Sequence, residues 1–228
     1  MFKHSPSGPS LSAVAAGSLA SFVGFASSFS IVVKGLLAMG ATQTQAASGL
    51  IVVALAMGFC GIVLSLKTKV PISIAWSTPG AAFFTSIATP AHGFSEAVGA
   101  FLCASVLIYL AGSVSRFGHW VTQIPKSLAN GMLAGILLNL CFAPVRALGQ
   151  MPLLALPIIG TWIAVGLWRK ALAVPVAVIV TFIVIGMTHT GPLPASETWI
   201  PHLEMVQPEF TLAGFIGISM PLFLITLA

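Results

Sequence analysis

The chain has 228 residues, 57% of them hydrophobic and only 6% charged, with glutamates as the only acids. That composition excludes a soluble globular domain and specifies an all-α polytopic membrane protein. Its net charge of +5 is scattered as nine Lys and Arg between apolar runs, so it reads as a topology signal, and nucleic acid is not expected as a partner.

The chain opens MFKHSPSGPS, which places Lys3 and His4 ahead of an apolar run beginning at Leu11. A cleavable signal has a shorter apolar core, so Leu11 to Met39 is predicted as a first membrane helix. Since a spanning helix needs about 20 apolar residues, further spans are predicted at Ala46 to Leu66, Val70 to Thr89, Ser95 to Val114, Pro125 to Ala143, Pro152 to Trp168, Ala171 to His189 and Phe210 to Ala228. The last of these begins an eighth segment that the chain end interrupts. Before it, THTGPLPASETWIPHLEMVQPE, from Thr188 to Glu209, is rich in proline and glutamate and is expected to be extended or interfacial.

Charge segregation orients these spans. With the N-terminus cytoplasmic, Lys3, Lys67, Lys69, Arg116, Lys126, Arg169 and Lys170 fall inside, and only Lys34 and Arg146 fall outside, together with every glutamate. Arg146 is expected to snorkel to the interface, and Lys34 either does the same or is peculiar to this protein. Trp120, Trp162, Trp168 and Trp199 sit near predicted span ends, where amphipathic rings favour the headgroup region, whereas Trp76 does not. Gly131 and Gly135 have the small-xxx-small spacing of packed membrane helices. Cys60, Cys103 and Cys141 fall in separate apolar runs and read as packing residues. His4, His92, His119, His189 and His202 have no ligand spacing, so neither a metal nor a cofactor is expected, and no constellation for an intramembrane enzyme is present. Glu96, the acid nearest a span, follows Ser95 at a helix start, where a capping role outweighs proton carriage.

The third segment, PISIAWSTPGAAFF from Pro71 to Phe84, is unlike the others. A helix running through it would lose the amide hydrogen at Pro79, clash with the carbonyl of Ala75 and disfavour helical geometry at Thr78. Ile72, Ile74 and Trp76 alternate with Ser73 and Ala75 in strand fashion, while Ser77 or Thr78 can cap a helix with Pro79 in its first turn. A short strand followed by a half-helix is therefore predicted. About six extended residues and eleven helical ones would reach roughly 36 Å, enough to cross a core of about 30 Å. A half-helix starting near the midplane aims amides and partial positive charge into a cavity, as an anion site in a transporter requires. The competing structure is a proline-kinked helix whose Ser and Thr satisfy the freed carbonyls.

AWSTPGAA at Ala75 to Ala82, VGFASSFSIVV at Val23 to Val33, FSEAVGAFL at Phe94 to Leu102, IPKSLANGMLAGILL at Ile124 to Leu138 and MPLFLITLA at Met220 to Ala228 together closely resemble the bacterial benzoate/proton symporter family, BenE. The resemblance covers nearly the whole chain. It implies a secondary transporter of the bacterial inner membrane, related in fold to the uracil/proton symporters and sulfate transporters, with fourteen segments in two inverted repeats of seven. In that uracil-transporter-like fold the third and tenth segments, each strand plus half-helix, face one another across the substrate. On this basis the chain is one transmembrane domain, residues 1–228, with a first repeat over about 11–189, an interfacial loop at 190–209 and the start of segment eight at 210–228. The resemblance also implies a protein of roughly 400 residues, so this chain is expected to be a fragment that does not transport alone.

Substrate-binding residues are expected at Ser77, Thr78, Gly80 and Ala81, whose amides and hydroxyls would hold a carboxylate, with Trp76 stacking on an aromatic ring. Ser27 and Ser28 in the first segment are added as candidates facing the same site, against the alternative that such hydroxyls bond to nearby backbone. The expected partners are a small aromatic carboxylate such as benzoate, a proton and the lipid bilayer, with a homo-oligomer left open. The same fold would also host another small anion or a nucleobase, and a non-transporting structural subunit is the alternative from a different class.

Overall fold

The computed structural model describes residues 11–114, 126–188 and 202–227, with some side chains in 126–140 excepted. Its helices are α1 (Leu11–Ala38), α2 (Gln43–Thr68), α3 (Thr78–Phe84), α4 (Phe94–Ser113), α5 (Lys126–Cys141), α6 (Ala143–Gln150), α7 (Pro152–Trp168), α8 (Lys170–Thr188) and α9 (Leu212–Leu227). Four of them, α1, α2, α4 and α8, are long and apolar enough to cross a membrane, and α7 and α9 are shorter apolar helices. Large apolar side chains such as Phe59 and Phe182 point outward, which suits a lipid surround.

Two compact units divide the chain. One comprises residues 1–29 and 144–193. Its α7 and α8 pack against each other across a single non-helical residue, Arg169, with Ala173 buried and its Cβ 3.7 Å from where a Cβ on Gly166 would stand.

The other unit comprises residues 30–143 and 194–228. Its core is small, formed by Met39, Phe84, Ala97, Ala100 and Ile218, with Phe83, Phe94, Phe101 and Leu222 packed on it. Small residues let the backbones close up. A Cβ on Gly35 of α1 would stand 2.5 Å from the carbonyl oxygen of Ala81, and one on Gly99 of α4 would strike the carbonyl of Glu209. Gly131 and Gly135, expected at a helix contact, have no neighbour within 4 Å of a Cβ position among the described residues. Cys60 and Cys141 are exposed and only Cys103 is partly covered, so outward-facing positions replace the expected packing role for the first two.

Helix α2 begins with a capping box between Thr42 and Gln45 and ends at Lys69 in the left-handed conformation, φ 58°. From Val70 to Ser77 the backbone is neither helix nor strand. The predicted strand is therefore absent: an extended stretch becomes a strand only by pairing with another, and no strand occurs among the described residues. In place of a ladder, the Ser65 hydroxyl of α2 receives the amide of Ile72 at 3.0 Å and donates to the carbonyl of the same residue at 3.3 Å. The break itself is where the prolines place it, and α3 starts at Thr78 with Ser77 as its cap, although it ends at Phe84 and not near Thr89.

At one end of this unit the chain is laced together by polar groups. Thr89 donates to the carbonyl of Ala38 at 2.9 Å, and the amide of Glu204 donates to Ser48 at 3.0 Å. The amide of Glu209 donates to the carbonyl of Ser95 at 2.9 Å, and His92 pairs with Glu209 at 2.9 Å. Residues 202–210 thus form a strap over the first turns of α2 and α4. The rest of the polar loop, 189–201, lies outside the described residues, as do His4, His119, His189, Trp120 and Trp199.

Candidate functional site

The break before α3 collects five of the seven predicted site residues. Ser77, in extended backbone at φ −76° and ψ 95°, accepts the amide of Gly80 at 3.1 Å, and its carbonyl accepts the amide of Ala81 at 3.0 Å. Pro79 lies in the first turn and has no amide hydrogen to offer. Most first-turn donors are therefore already engaged. The Ser77 hydroxyl accepts in the cap and keeps its own hydrogen, and Thr78 contributes an amide and a hydroxyl, so these are the donors the turn can extend to a carboxylate.

Gly80 and Ala81 are buried, and they shape the turn more than they line it. The Ala81 carbonyl faces Gly35 of α1, while a Cβ on Gly80 would stand 2.8 Å from Leu222 Cδ1 and 3.0 Å from Ser77 Oγ. Trp76, half-buried, immediately precedes the cap. The Ser27 and Ser28 hydroxyls both donate to the carbonyl of Gly24, at 3.1 and 2.9 Å, and these residues belong to the first unit, whereas Trp76 to Ala81 belong to the second.

Contacts to the turn from α9, through Leu222, and to residues before it from α2, through Ser65, escaped the sequence reading. Leu222 sits in an unremarkable apolar run, and Ser65 looks like any helical serine. Only Glu96 carried a visible signal. It stands in the first turn of α4, three residues after the cap residue Gly93, and serves the helix start as expected by accepting the His92 amide at 3.1 Å. Its other oxygen accepts the Thr211 hydroxyl, which the sequence did not reveal.

A broken, capped segment inside an apolar helical chain is one form that transporter sites take. The family model described as benzoate membrane transport protein matches residues 7–228. This chain belongs to the BenE family. BenE is a family of membrane transport proteins and not of enzymes. Among curated relatives, the inner membrane protein YdcO of Escherichia coli is 36% identical over 93% of this chain and 54% of the relative. The benzoate membrane transport protein of Acinetobacter baylyi is 25% identical over 96% of this chain and 55% of the relative. The BenE chain here thus spans about half the length of the curated relatives it matches. No solved structure matches it.

Proposed function

We propose that the full-length protein containing this chain is a secondary active transporter that takes up benzoate or a related aromatic carboxylate together with a proton. The observation that carries the reading is the capped break at Ser77 within a chain matched almost throughout by the BenE model. Ser77 and Thr78 would donate to the carboxylate, Trp76 would stack on the ring, and Gly80 and Ala81 would hold the turn in shape. Ser27 and Ser28 are the remaining candidates from α1. The charge segregation supports an inner-membrane orientation with the N-terminus cytoplasmic. A fold of two inverted repeats would supply the facing half of the site from outside this chain.

Uptake of labelled benzoate by the full-length protein, with and without a protonophore, tests the reading. Uptake that stops when the gradient collapses is the expected result, and uptake indifferent to the gradient excludes symport. A second cargo remains in view because the relative at 36% identity is named for its location and not for a substrate. Competition of benzoate uptake by nucleobases and small inorganic anions separates the two.

A further inference from the structure

Buried polar side chains are few in this chain: among the described residues they are Ser48, Glu96 and Ser219. Two of them tie α4 to α9. Glu96 is 2% exposed, and its two oxygens accept the His92 amide and the Thr211 hydroxyl. Thr211 does double duty, because the same oxygen caps α9 by accepting the amide of Gly214 at 2.9 Å. Further along, Ser219 donates to the carbonyl of Ala100 at 2.8 Å. Glu96 and Ala100 are one helical turn apart, so both ties lie on one face of α4.

Between the ties, Phe215–Ser219 forms a π-helical turn, an irregularity that displaces the register of everything after it. Leu222 follows at once, packed over Gly80 at the start of α3. The position of Leu222 thus depends on where α9 is anchored, and Glu96 holds the first of its two anchors, with Ser219 holding the second. With both oxygens receiving donors, this carboxylate is built to hold a partner in place more than to pass a proton along.

We propose that Glu96 is a positioning residue for the substrate site: by fixing Thr211 and the start of α9 on α4, it sets Leu222 against the first turn of α3. The proposal rests on the reading of that turn as part of the substrate site. Replacing Glu96 by Gln removes the charge from both bonds and sets an amide nitrogen where one oxygen accepted, so both ties are weakened and the Thr211 hydroxyl must turn to accept. Replacing Thr211 by Val removes both the bond to Glu96 and the cap of α9, whereas Ser at that position retains both.

The experiment uses the full-length protein with every native cysteine, Cys60, Cys103 and Cys141 among them, replaced by Ser and Leu222 replaced by Cys. Alkylation of Leu222→Cys by a small maleimide should be slow, should accelerate about tenfold on Glu96→Gln, as expected for weakening worth about one buried hydrogen bond, should accelerate at least as much on Thr211→Val, and should stay slow with Thr211→Ser. In the cysteine-free protein with Leu222 intact, KM for benzoate should rise with Glu96→Gln and Thr211→Val more than kcat falls, with Thr211→Ser near the native value. Because Thr211→Val removes two bonds and risks misfolding, Glu96→Gln serves as the milder variant. Unchanged alkylation in both variants overturns the proposal. An alkylation pattern as expected in a protein that takes up no aromatic carboxylate upholds the anchoring role and overturns the functional reading alone.

Discussion

Leu222 Cδ1 lies 2.8 Å from the point a Cβ on Gly80 would occupy, so the side chain of α9 fills the space that glycine leaves open at the start of α3. Gly80→Ala should therefore destabilise the protein by about 1–3 kcal/mol, the usual penalty of overpacking. The colliding atom is the tip of a flexible side chain, so Leu222→Ala should relieve part of that penalty. Thermal unfolding of the two single variants and the double variant in detergent provides the cycle. Strict additivity would show that the two residues do not meet.

Gly35 presents a harder contact. A Cβ there would meet the backbone oxygen of Ala81 at 2.5 Å, and a carbonyl inside a helix cannot swing aside. Gly35→Ala should cost at least as much as Gly80→Ala, with no side-chain substitution able to rescue it. Gly17→Ala on the same helix is the control, since nothing among the described residues lies within 4 Å of its Cβ position. That change should be neutral or stabilising by up to about 1 kcal/mol, from helix propensity alone. Melting temperatures shifted equally by the two variants would contradict the close approach of α1 and α3.

Ser77 and Thr78 are separable by experiment because the Ser77 hydroxyl is engaged in the cap, whereas the Thr78 hydroxyl has no partner among the described residues. Ser77 caps α3 through the amide of Gly80, so Ser77→Ala should lower stability by about 1 kcal/mol even with no substrate present. Thr78→Val keeps shape and removes a hydroxyl, so stability should change by less than about 0.5 kcal/mol. Its benzoate affinity should fall by roughly tenfold if the hydroxyl donates to the carboxylate. Equilibrium binding alongside melting curves reads both quantities, and an unchanged Thr78→Val affinity removes that residue from the site.

What the sequence made legible follows from which interactions are local. The break in the third segment, the cap at Ser77 and the helix starting at Thr78 were readable because Pro79 and its neighbours dictate them within a few residues. The strand before the break was not realised, since a strand depends on a partner elsewhere. The strap over α2 and α4 could be foreseen as polar and non-helical, but its path depends on Ser48, Ser95 and Gly99, which are distant in sequence. Glu96 was legible as a helix-start carboxylate, but its link to Thr211 was not, because spacing along one helix says nothing about which donor a fold brings to it.

Ser65 gives the last test, since it stands where a ladder partner would. Its hydroxyl both accepts the amide and donates to the carbonyl of Ile72, at 3.0 and 3.3 Å, so a single side chain satisfies both backbone groups of a residue that no helix serves. In an apolar surround, an unpaired backbone group is costly. Ser65→Ala should strand both groups and destabilise the protein by about 1–3 kcal/mol, whereas Ser65→Thr, which keeps the hydroxyl, should cost less. Hydrogen exchange locates the effect: the Ile72 amide should lose protection in Ser65→Ala, while the amides of Phe83 and Phe84 in α3 should change much less. If the Ile72 amide exchanges at the same rate in both variants, the segment before Ser77 is held by something other than α2, and the placement of the α3 cap must then be explained from Gly35 and Leu222 alone.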